Sequence, residues 1–492
     1  MEYAEYKEPI PILDRSKSIG TIALVATIAA AVQYGWALQL SLLSPYIQLL
    51  GVPHGWVALV WLCGPISGLI VQPTVGVSSD RCTSRFGRRR PYIVGGGILL
   101  LFGVFLIGFA ADIGGALGDS LVSGTKPIAI TVFVLGFFIL DISNNLIQSP
   151  CRALLADLSG ESEAKITYAN ALFAFFMAMG NILGYGAGSF KDLYKMLPFT
   201  RTNVCDVQCA NLKTCCILSG FITSICISFV ASMVKEERLD PLLLAQKDAM
   251  AGERSPSIIN QLTFSIKNLS KPMWNLIFVT SLNWIAWFPF LMYDTDWMGK
   301  EIYGGNVKGN PEEVERYYKG VRVGTAALML YILTLAIMSL AMNVIIKLLG
   351  GVTRLWGFGN FILATCMAST ALITKIASDA RLTNLNNGHQ IGSPSLGVKV
   401  SAFTLFAALG LPQAVTYCIP YALASIYTNT SDSGQGVALG LLNLAIVIPQ
   451  MFVAFVIGPL DAAFKGSNLP GFIMGAVAAA LSGIFSSSIL KV

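Results

Sequence analysis

One apolar stretch of the chain carries side chains that could take up a proton and bind hydroxyl groups. It occupies positions 137–158, reads FFILDISNNLIQSPCRALLADL, and is long enough to cross a lipid bilayer as a helix. Its polar members are Asp141, Asn144, Asn145, Gln148 and Arg152. An α-helix turns by about 100° per residue, so all of these except Asn144 lie on one narrow face. Ionisable groups in a membrane face a cavity or a partner, and this face therefore predicts one wall of a polar path.

The alternative is a buried ion pair between Asp141 and Arg152 that only fixes helix packing. Eleven positions separate the two residues, which places them roughly 16 Å apart along the helix axis. Helix packing alone does not explain the three amides between them. We therefore predict that Asp141 is a protonation site coupled to Arg152, and that the amides bind hydroxyl groups of a substrate.

The composition is that of a membrane protein. Of the 492 residues, 54% are hydrophobic and only 12% are charged, and the mean hydropathy is +0.65. The formal charge of +6 comes from short basic loops beside apolar segments, which indicates membrane orientation and not nucleic-acid binding. The sequence contains no catalytic triad, phosphate-binding loop or metal-ligand spacing. We expect an all-α membrane protein that is not an enzyme and needs no cofactor or metal.

Twelve apolar segments are long enough to span the bilayer, and a polar loop divides them into two sets of six. The predicted spans are 19–49, 55–77, 91–111, 127–156, 166–189, 213–233, 272–296, 322–346, 355–377, 399–427, 434–457 and 469–490. The predicted division is an N-terminal half at 1–233, a linker at 234–271 and a C-terminal half at 272–492. Tryptophan, proline and glycine signals recur in the same order in both sets. Paired six-helix repeats are typical of major facilitator transporters, whose substrate lies at mid-membrane between the halves.

The loop between the second and third spans, RCTSRFGRRR, indicates the cytoplasmic side. With an even number of spans, both termini are then cytoplasmic. The run from Gly76 to Arg89 resembles the signature loop of the major facilitator superfamily, with extra residues before its second glycine. We predict that Asp80, Arg81 and Arg88 latch one conformation of the protein; the alternative is a basic anchor that only orients the loop.

The resemblance then becomes specific, and it runs from about residue 20 to residue 490. The segments GWALQLSLLSPYIQLLGVPH (35–54), LDISNNLIQSPCRALLADL (140–158), YDTDWMGKEIYGG (293–305) and LGLLNLAIVIPQM (439–451) closely resemble plant sucrose–proton symporters. Membership implies the major facilitator fold, proton-driven uptake of sucrose and often of related glucosides, and usually the plasma membrane. We expect a monomer, because each chain holds both halves.

The resemblance also assigns roles to individual residues. By this resemblance, the family's membrane aspartate corresponds to Asp141 and its essential arginine to Arg152. The family's histidine after the first span corresponds to His54. A charged cluster at the outer end of the seventh span would form a gate; its members are Asp294, Asp296, Lys300 and Glu301. Lys300 departs from the usual arginine, so it keeps the charge but cannot grip a carboxylate in two places.

A sugar site should also offer further amides and an aromatic face. Gln39 would supply an amide from the first span, and Trp36 and Trp287 would stack on the sugar. Separately, Cys205 and Cys209 lie in a polar loop placed outside, where a disulfide could persist. Two nearby cysteines, Cys215 and Cys216, leave the pairing open.

Three other interpretations remain open at this level. The chain could carry another sugar or use another ion, it could act in the vacuolar membrane, or it could be a sugar receptor without net transport. A channel is disfavoured, because paired halves around a charged central helix favour alternating access.

Overall fold

The structure is a computed structural model of the chain. It describes residues 18–39, 46, 50–51, 63–119, 125–190, 192–236, 238–241, 263, 266–267, 269–306, 309–386, 393–429, 434–464 and 467–490. His54, predicted to bind the substrate, lies outside the described residues.

Within these residues the helices form an all-α bundle in two sets. The first set is α1 (Ile19–Ala26), α2 (Ile28–Leu38), α3 (Cys63–Asp80), α4 (Arg90–Gly108), α5 (Ala110–Ala116), α6 (Pro127–Ser159), α7 (Glu163–Ser189) and α8 (Val207–Met233). The second set is α9 (Lys271–Trp297), α10 (Pro311–Leu349), α11 (Val352–Asn386), α12 (Leu396–Asn429), α13 (Gln435–Ala463) and α14 (Leu469–Ile489). Below, the N-half means α1 to α8 and the C-half means α9 to α14. Counting α1 with α2, and α4 with α5, the described helices correspond in order to the twelve predicted spans.

Eleven of these twelve helical segments are long and apolar enough to cross a membrane. The exception in the described part of the chain is α3, which contains Gln72, Pro73 and several small residues. The chain is a multi-pass membrane protein.

Several helices extend beyond their predicted ends. The helix α10 begins at Pro311, eleven positions before the predicted start at 322. Its first turns are polar, so a hydropathy window finds only the part in lipid. The local signals for the true start are nevertheless present: the side chain of Asn310 accepts a hydrogen bond from the Glu313 N–H, and a proline follows it.

Each half has a large hydrophobic core of its own. The buried members of one core all lie between Ile22 and Val234. The buried members of the other lie between Met273 and Leu490, apart from three N-half alanines that pack against it, Ala153, Ala171 and Ala178. Across the halves, α3 packs along α13, and α7 packs along α10 and α12. Polar side chains between the two cores therefore lie where the halves meet.

Candidate functional site

Asp141 lies near the middle of α6 and is 2% exposed. Its Oδ1 accepts a hydrogen bond from the Gln39 amide at 3.4 Å. Its Oδ2 has no hydrogen-bond partner among the described residues. Gly64 of α3 lies close to Oδ2, because a Cβ added to this glycine would be 3.6 Å from that oxygen. The carboxylate therefore has one oxygen held by Gln39 and one oxygen free.

The amides that follow Asp141 divide into a paired group and an unpaired one. The Asn145 Oδ1 accepts from the Gln72 amide at 2.6 Å, and its Nδ2 donates to Ser67 Oγ at 2.8 Å. Gln148 Oε1 lies 3.5 Å from the same Gln72 nitrogen. Asn145 thus ties α6 to α3. By contrast, neither amide atom of Asn144 has a partner in the described part of the chain, although the side chain is buried.

Arg152 is buried without an ion pair in the described residues. Its guanidinium carbon lies 4.0 Å from the ring centre of Phe173 and 3.4 Å from that of Tyr421. Its Nη1 donates to Asn170 Oδ1 at 3.1 Å and to the Tyr417 carbonyl at 3.4 Å. Because Phe173 belongs to the N-half and Tyr421 to the C-half, this cation lies between the halves. It is not the ion-pair partner of Asp141.

The two tryptophans predicted to stack on the sugar lie in different places. Trp36 is half-buried and packs against the N-half core. Trp287 is fully buried in the C-half, where its indole N–H donates to Thr416 Oγ1 at 3.0 Å and its ring faces Phe290. In this structure Trp287 packs inside one half, whereas Trp284 pairs with the Tyr417 ring at 6.1 Å between centres.

The signature loop forms a contact between the halves. Asp80, the last residue of α3, accepts hydrogen bonds from the backbone N–H groups of Gly436 at 3.0 Å and Val437 at 2.8 Å. These N–H groups belong to the first turn of α13, where a helix favours an anion. Asp80 also pairs with Arg89, which donates to Asp157 at 3.1 Å. We call the contact of Asp80 with the first turn of α13 the latch.

Three further residues complete the surroundings of the latch. Arg88 pairs with Asp157 at 2.8 Å, and Arg81 directly follows α3. Arg89 is fully buried, and burial alone would lower the pKa of its guanidinium. The carboxylates of Asp80 and Asp157 outweigh that effect and raise this pKa above its ordinary value, so the cation stays charged. The loop contains five arginines, and nothing in the sequence indicates that Arg89 pairs with Asp80 and Asp157.

In the charged cluster at the end of α9, Asp294 is buried near Tyr185 of α7 in the N-half. Asp296 and Glu301 make their described hydrogen bonds within the C-half. Asp296 accepts from Lys300, the Tyr317 hydroxyl and the Asn468 amide, each at 2.8 Å. Glu301 accepts from the Asn468 backbone N–H at 3.3 Å. These bonds join the ends of α9, α10 and α14. Lys300 contacts a single oxygen of Asp296 in the part of the chain that the structure describes.

A disulfide joins Cys205, which precedes α8, to Cys209 in the first turn of this helix. Cys215 and Cys216 are free and buried farther along the same helix. The bridge closes the turn before α8, at the end of that helix away from the latch.

Comparisons of the sequence and of the fold with known proteins agree with the family resemblance described above. The family model described as MFS/sugar transport protein matches residues 24–288. The sucrose transport protein SUC4 of Arabidopsis thaliana is 43% identical over 97% of this chain and 91% of its own length. The sucrose transport protein SUT2 of Oryza sativa subsp. indica is 41% identical over 93% of this chain and 90% of its own length.

Solved structures share the fold at low identity. The Escherichia coli fucose:proton symporter FucP superposes with a TM-score of 0.62 at 16% identity, covering 95% of this chain and 98% of that one. The proton:xylose symporter XylE gives a TM-score of 0.60 at 14% identity and covers 96% of both chains. These confirm the predicted major facilitator fold. The relatives named above are transport proteins, and the chain is a transporter and not an enzyme. With 43% identity over nearly its whole length, it belongs to the plant sucrose transport protein family of the major facilitator superfamily.

Proposed function

We propose that the protein is a proton-coupled sucrose symporter that works by alternating access, with Asp141 as the protonation site. The observation that carries this proposal is the free Oδ2 of Asp141, buried at mid-bundle with no cation paired to it in the described residues. An anionic carboxylate in such a place is costly. A group that is stable there only when neutral is suited to carry a proton across.

Coupling follows if the proton and the sugar favour each other at this site. A protonated Asp141 donates a hydrogen bond through Oδ2, the oxygen without a partner among the described residues. Asn144 lies one turn away, and neither of its amide atoms has a partner among the described residues. A sugar hydroxyl can both donate to and accept from such groups. Sugar binding then stabilises the protonated form, and by linkage the proton stabilises the bound sugar.

Alternating access needs a contact between the halves that opens and closes, and the latch supports this role. The Asp80 carboxylate belongs to the N-half and the first turn of α13 to the C-half. Two hydrogen bonds from the Gly436 and Val437 N–H groups to a charged acceptor close this side of the bundle. Their loss would let the halves separate here. Arg81 and Arg88 would keep the surrounding surface basic.

We further propose the plasma membrane, with both termini in the cytoplasm and the latch on the cytoplasmic side. The arginine-rich loop at the latch supports this orientation. The Cys205–Cys209 disulfide at the opposite end supports it as well, because disulfides persist outside the cytosol. The transporter acts as a monomer in the lipid bilayer, takes related glucosides beside sucrose, and uses protons as coupling ion without a cofactor.

The direct test of this function is electrical. The chain is expressed at the surface of a voltage-clamped cell, and sucrose is applied at outer pH 5 and pH 8. We expect a saturable inward current that is larger at pH 5. A current with other sugars but not with sucrose would contradict the assigned substrate. Surface expression with sucrose binding but no current would instead establish a receptor.

A glycine substitution tests the latch. A Cβ added to Gly76 would lie 2.3 Å from the Gly436 carbonyl oxygen, and neither backbone can yield easily. We expect Gly76→Ala to hold α3 away from α13 and to slow sucrose uptake by about tenfold, because overpacking costs about 1–3 kcal/mol. The separation is measured by labelling Val437→Cys from the cytoplasmic side, which should become faster.

The matched control is Gly95→Ala, since a Cβ at Gly95 meets no atom within 4 Å. It should leave both uptake and labelling unchanged. If Gly76→Ala behaves like Gly95→Ala, close packing of α3 against α13 does not control access.

A further inference from the structure

A glutamate at the start of the linker between the halves contacts the arginine-rich loop beside the latch. This residue is Glu236, which follows the end of α8 at Met233. Its two carboxylate oxygens lie 2.7 and 2.9 Å from the backbone nitrogen of Arg89, which donates to both. The backbone N–H of Arg90 donates to it as well, at 3.2 Å. Both N–H groups lie at the N-terminus of α4, where a helix favours an anion.

Two neighbouring features fit this contact. Gly87 has a φ of +110°, and a Cβ added there would collide with the Glu236 side chain. The loop therefore approaches the carboxylate at a position that favours glycine. The Arg90 guanidinium donates to the Ala231 carbonyl in the last turn of α8, where a helix favours a cation. Two separate charged contacts thus join the start of α4 to the end of α8.

The residue that Glu236 holds is also the one that supports the latch. The Arg89 guanidinium pairs with the Asp80 carboxylate and donates to Ser79 Oγ at 2.7 Å, both on α3. It also donates to Asp157 of α6 at 3.1 Å. Through its backbone bond to Glu236, Arg89 connects the latch-side ends of α3, α4, α6 and α8.

Arg89 has two carboxylates within reach, so the position of its backbone decides how it divides between them. Arg88 also pairs with Asp157, at 2.8 Å. A shift of the α4 N-terminus could therefore move the Arg89 guanidinium from Asp80 to Asp157 without leaving that cation unpaired. Asp80 would then lose the partner that orients it toward the Gly436 and Val437 N–H groups.

We propose that Glu236 is a positioning residue for the latch. Through the Arg89 backbone it holds the guanidinium against Asp80, and so keeps Asp80 on the first turn of α13. The inference rests on the proposed alternating access and adds a contact by which the linker controls it. A displacement of the start of the linker that withdraws Glu236 weakens the latch, and its return restores the latch.

The test measures access to a cysteine at the latch. The reporter is Val437→Cys in a Cys82→Ser background, because Cys82 is a half-buried cysteine of the loop itself. Membranes are made permeable to the labelling reagent and contain no sugar, so the rate depends neither on orientation nor on transport. We expect Glu236→Ala to speed labelling by about tenfold, which corresponds to about 1.4 kcal/mol. This is close to the contribution of one hydrogen bond to a charged group.

A double-mutant cycle with Asp80→Asn separates positioning from a general loss of stability. Asp80→Asn weakens the latch directly and should speed labelling by itself. If Glu236 acts through Asp80, Glu236→Ala should change labelling by less than about twofold in that background. An equal change in both backgrounds would overturn the proposal, and so would unchanged labelling of Glu236→Ala with Asp80 intact.

Further variants control for folding. Glu236→Gln keeps one acceptor oxygen at the same length and should label at a rate between those of the wild type and Glu236→Ala. It replaces Glu236→Ala in the cycle if that variant does not reach the membrane. The matched control is Glu161→Ala, which removes an exposed glutamate just after α6 and should leave labelling unchanged. Absence of sucrose current in the wild type would overturn the proposed function, while the labelling cycle would still decide this inference.

Discussion

Replacing Asp141 by asparagine is expected to abolish proton-driven accumulation of sucrose. Asparagine can still accept the hydrogen bond from Gln39, but it cannot take up or release a proton. With one proton per sugar, a gradient of two pH units supports about a hundredfold accumulation in vesicles, because each unit is worth about 1.4 kcal/mol. The wild type should approach this ratio, and Asp141→Asn should stay near equal concentrations. The measurement is radiolabelled sucrose inside and outside vesicles under an imposed pH gradient.

The matched control is Asp192→Asn. Asp192 lies in an exposed turn outside the bundle, where it pairs with Lys195 at 3.1 Å. Its loss should leave accumulation unchanged, because exposed ion pairs contribute little. Full accumulation by Asp141→Asn would place the coupling proton on another group, and Asp294 would be the first to examine.

Replacing Arg152 by lysine is expected to reduce sucrose uptake by at least about tenfold. The charge remains, but the flat guanidinium between the Phe173 and Tyr421 rings is lost. A desolvated cation–π contact contributes about 2 kcal/mol. A lysine ammonium also cannot span from Asn170 to the Tyr417 carbonyl while stacking on both rings. Initial rates over a range of sucrose concentrations give both the maximal rate and the half-saturation.

The control for this change is Arg238→Lys, since Arg238 is exposed beyond the end of α8. A second variant, Tyr421→Phe, retains the ring and should retain most of the uptake. Unchanged kinetics in Arg152→Lys would mean that only the charge of Arg152 matters.

Features that depend on a single helix were predicted well from the sequence. The polar face of α6 follows from the turn of a helix, and the structure puts Asp141, Asn145 and Arg152 inside the bundle as that face requires. The order of the twelve spans followed from hydropathy. The helix α10 was predicted too short, since its first turns are polar and lie outside the reach of hydropathy.

Contacts between helices could not be predicted, because they depend on how one helix is rotated and shifted against another. Nothing near Asn145 in the sequence points to Gln72, and nothing near Arg152 points to Tyr421. The same limit applies to Trp287, which remains a predicted sugar contact although its indole bonds to Thr416 inside the C-half. A tryptophan on an apolar helix has the same sequence signature in both roles.

Asp80 has partners in both halves, and this has a consequence for the resting orientation of the empty carrier. When Asp80 leaves the first turn of α13 it keeps its ion pair with Arg89. Its carboxylate therefore stays paired with a cation after the latch opens. The two N–H groups of α13 meet water instead. The change is therefore reversible and costs the two hydrogen bonds from α13. With the latch on the cytoplasmic side, as proposed above, these bonds favour the state of the unloaded protein that is closed there and open to the outside. An inhibitor too large to be enclosed should then compete best from that side.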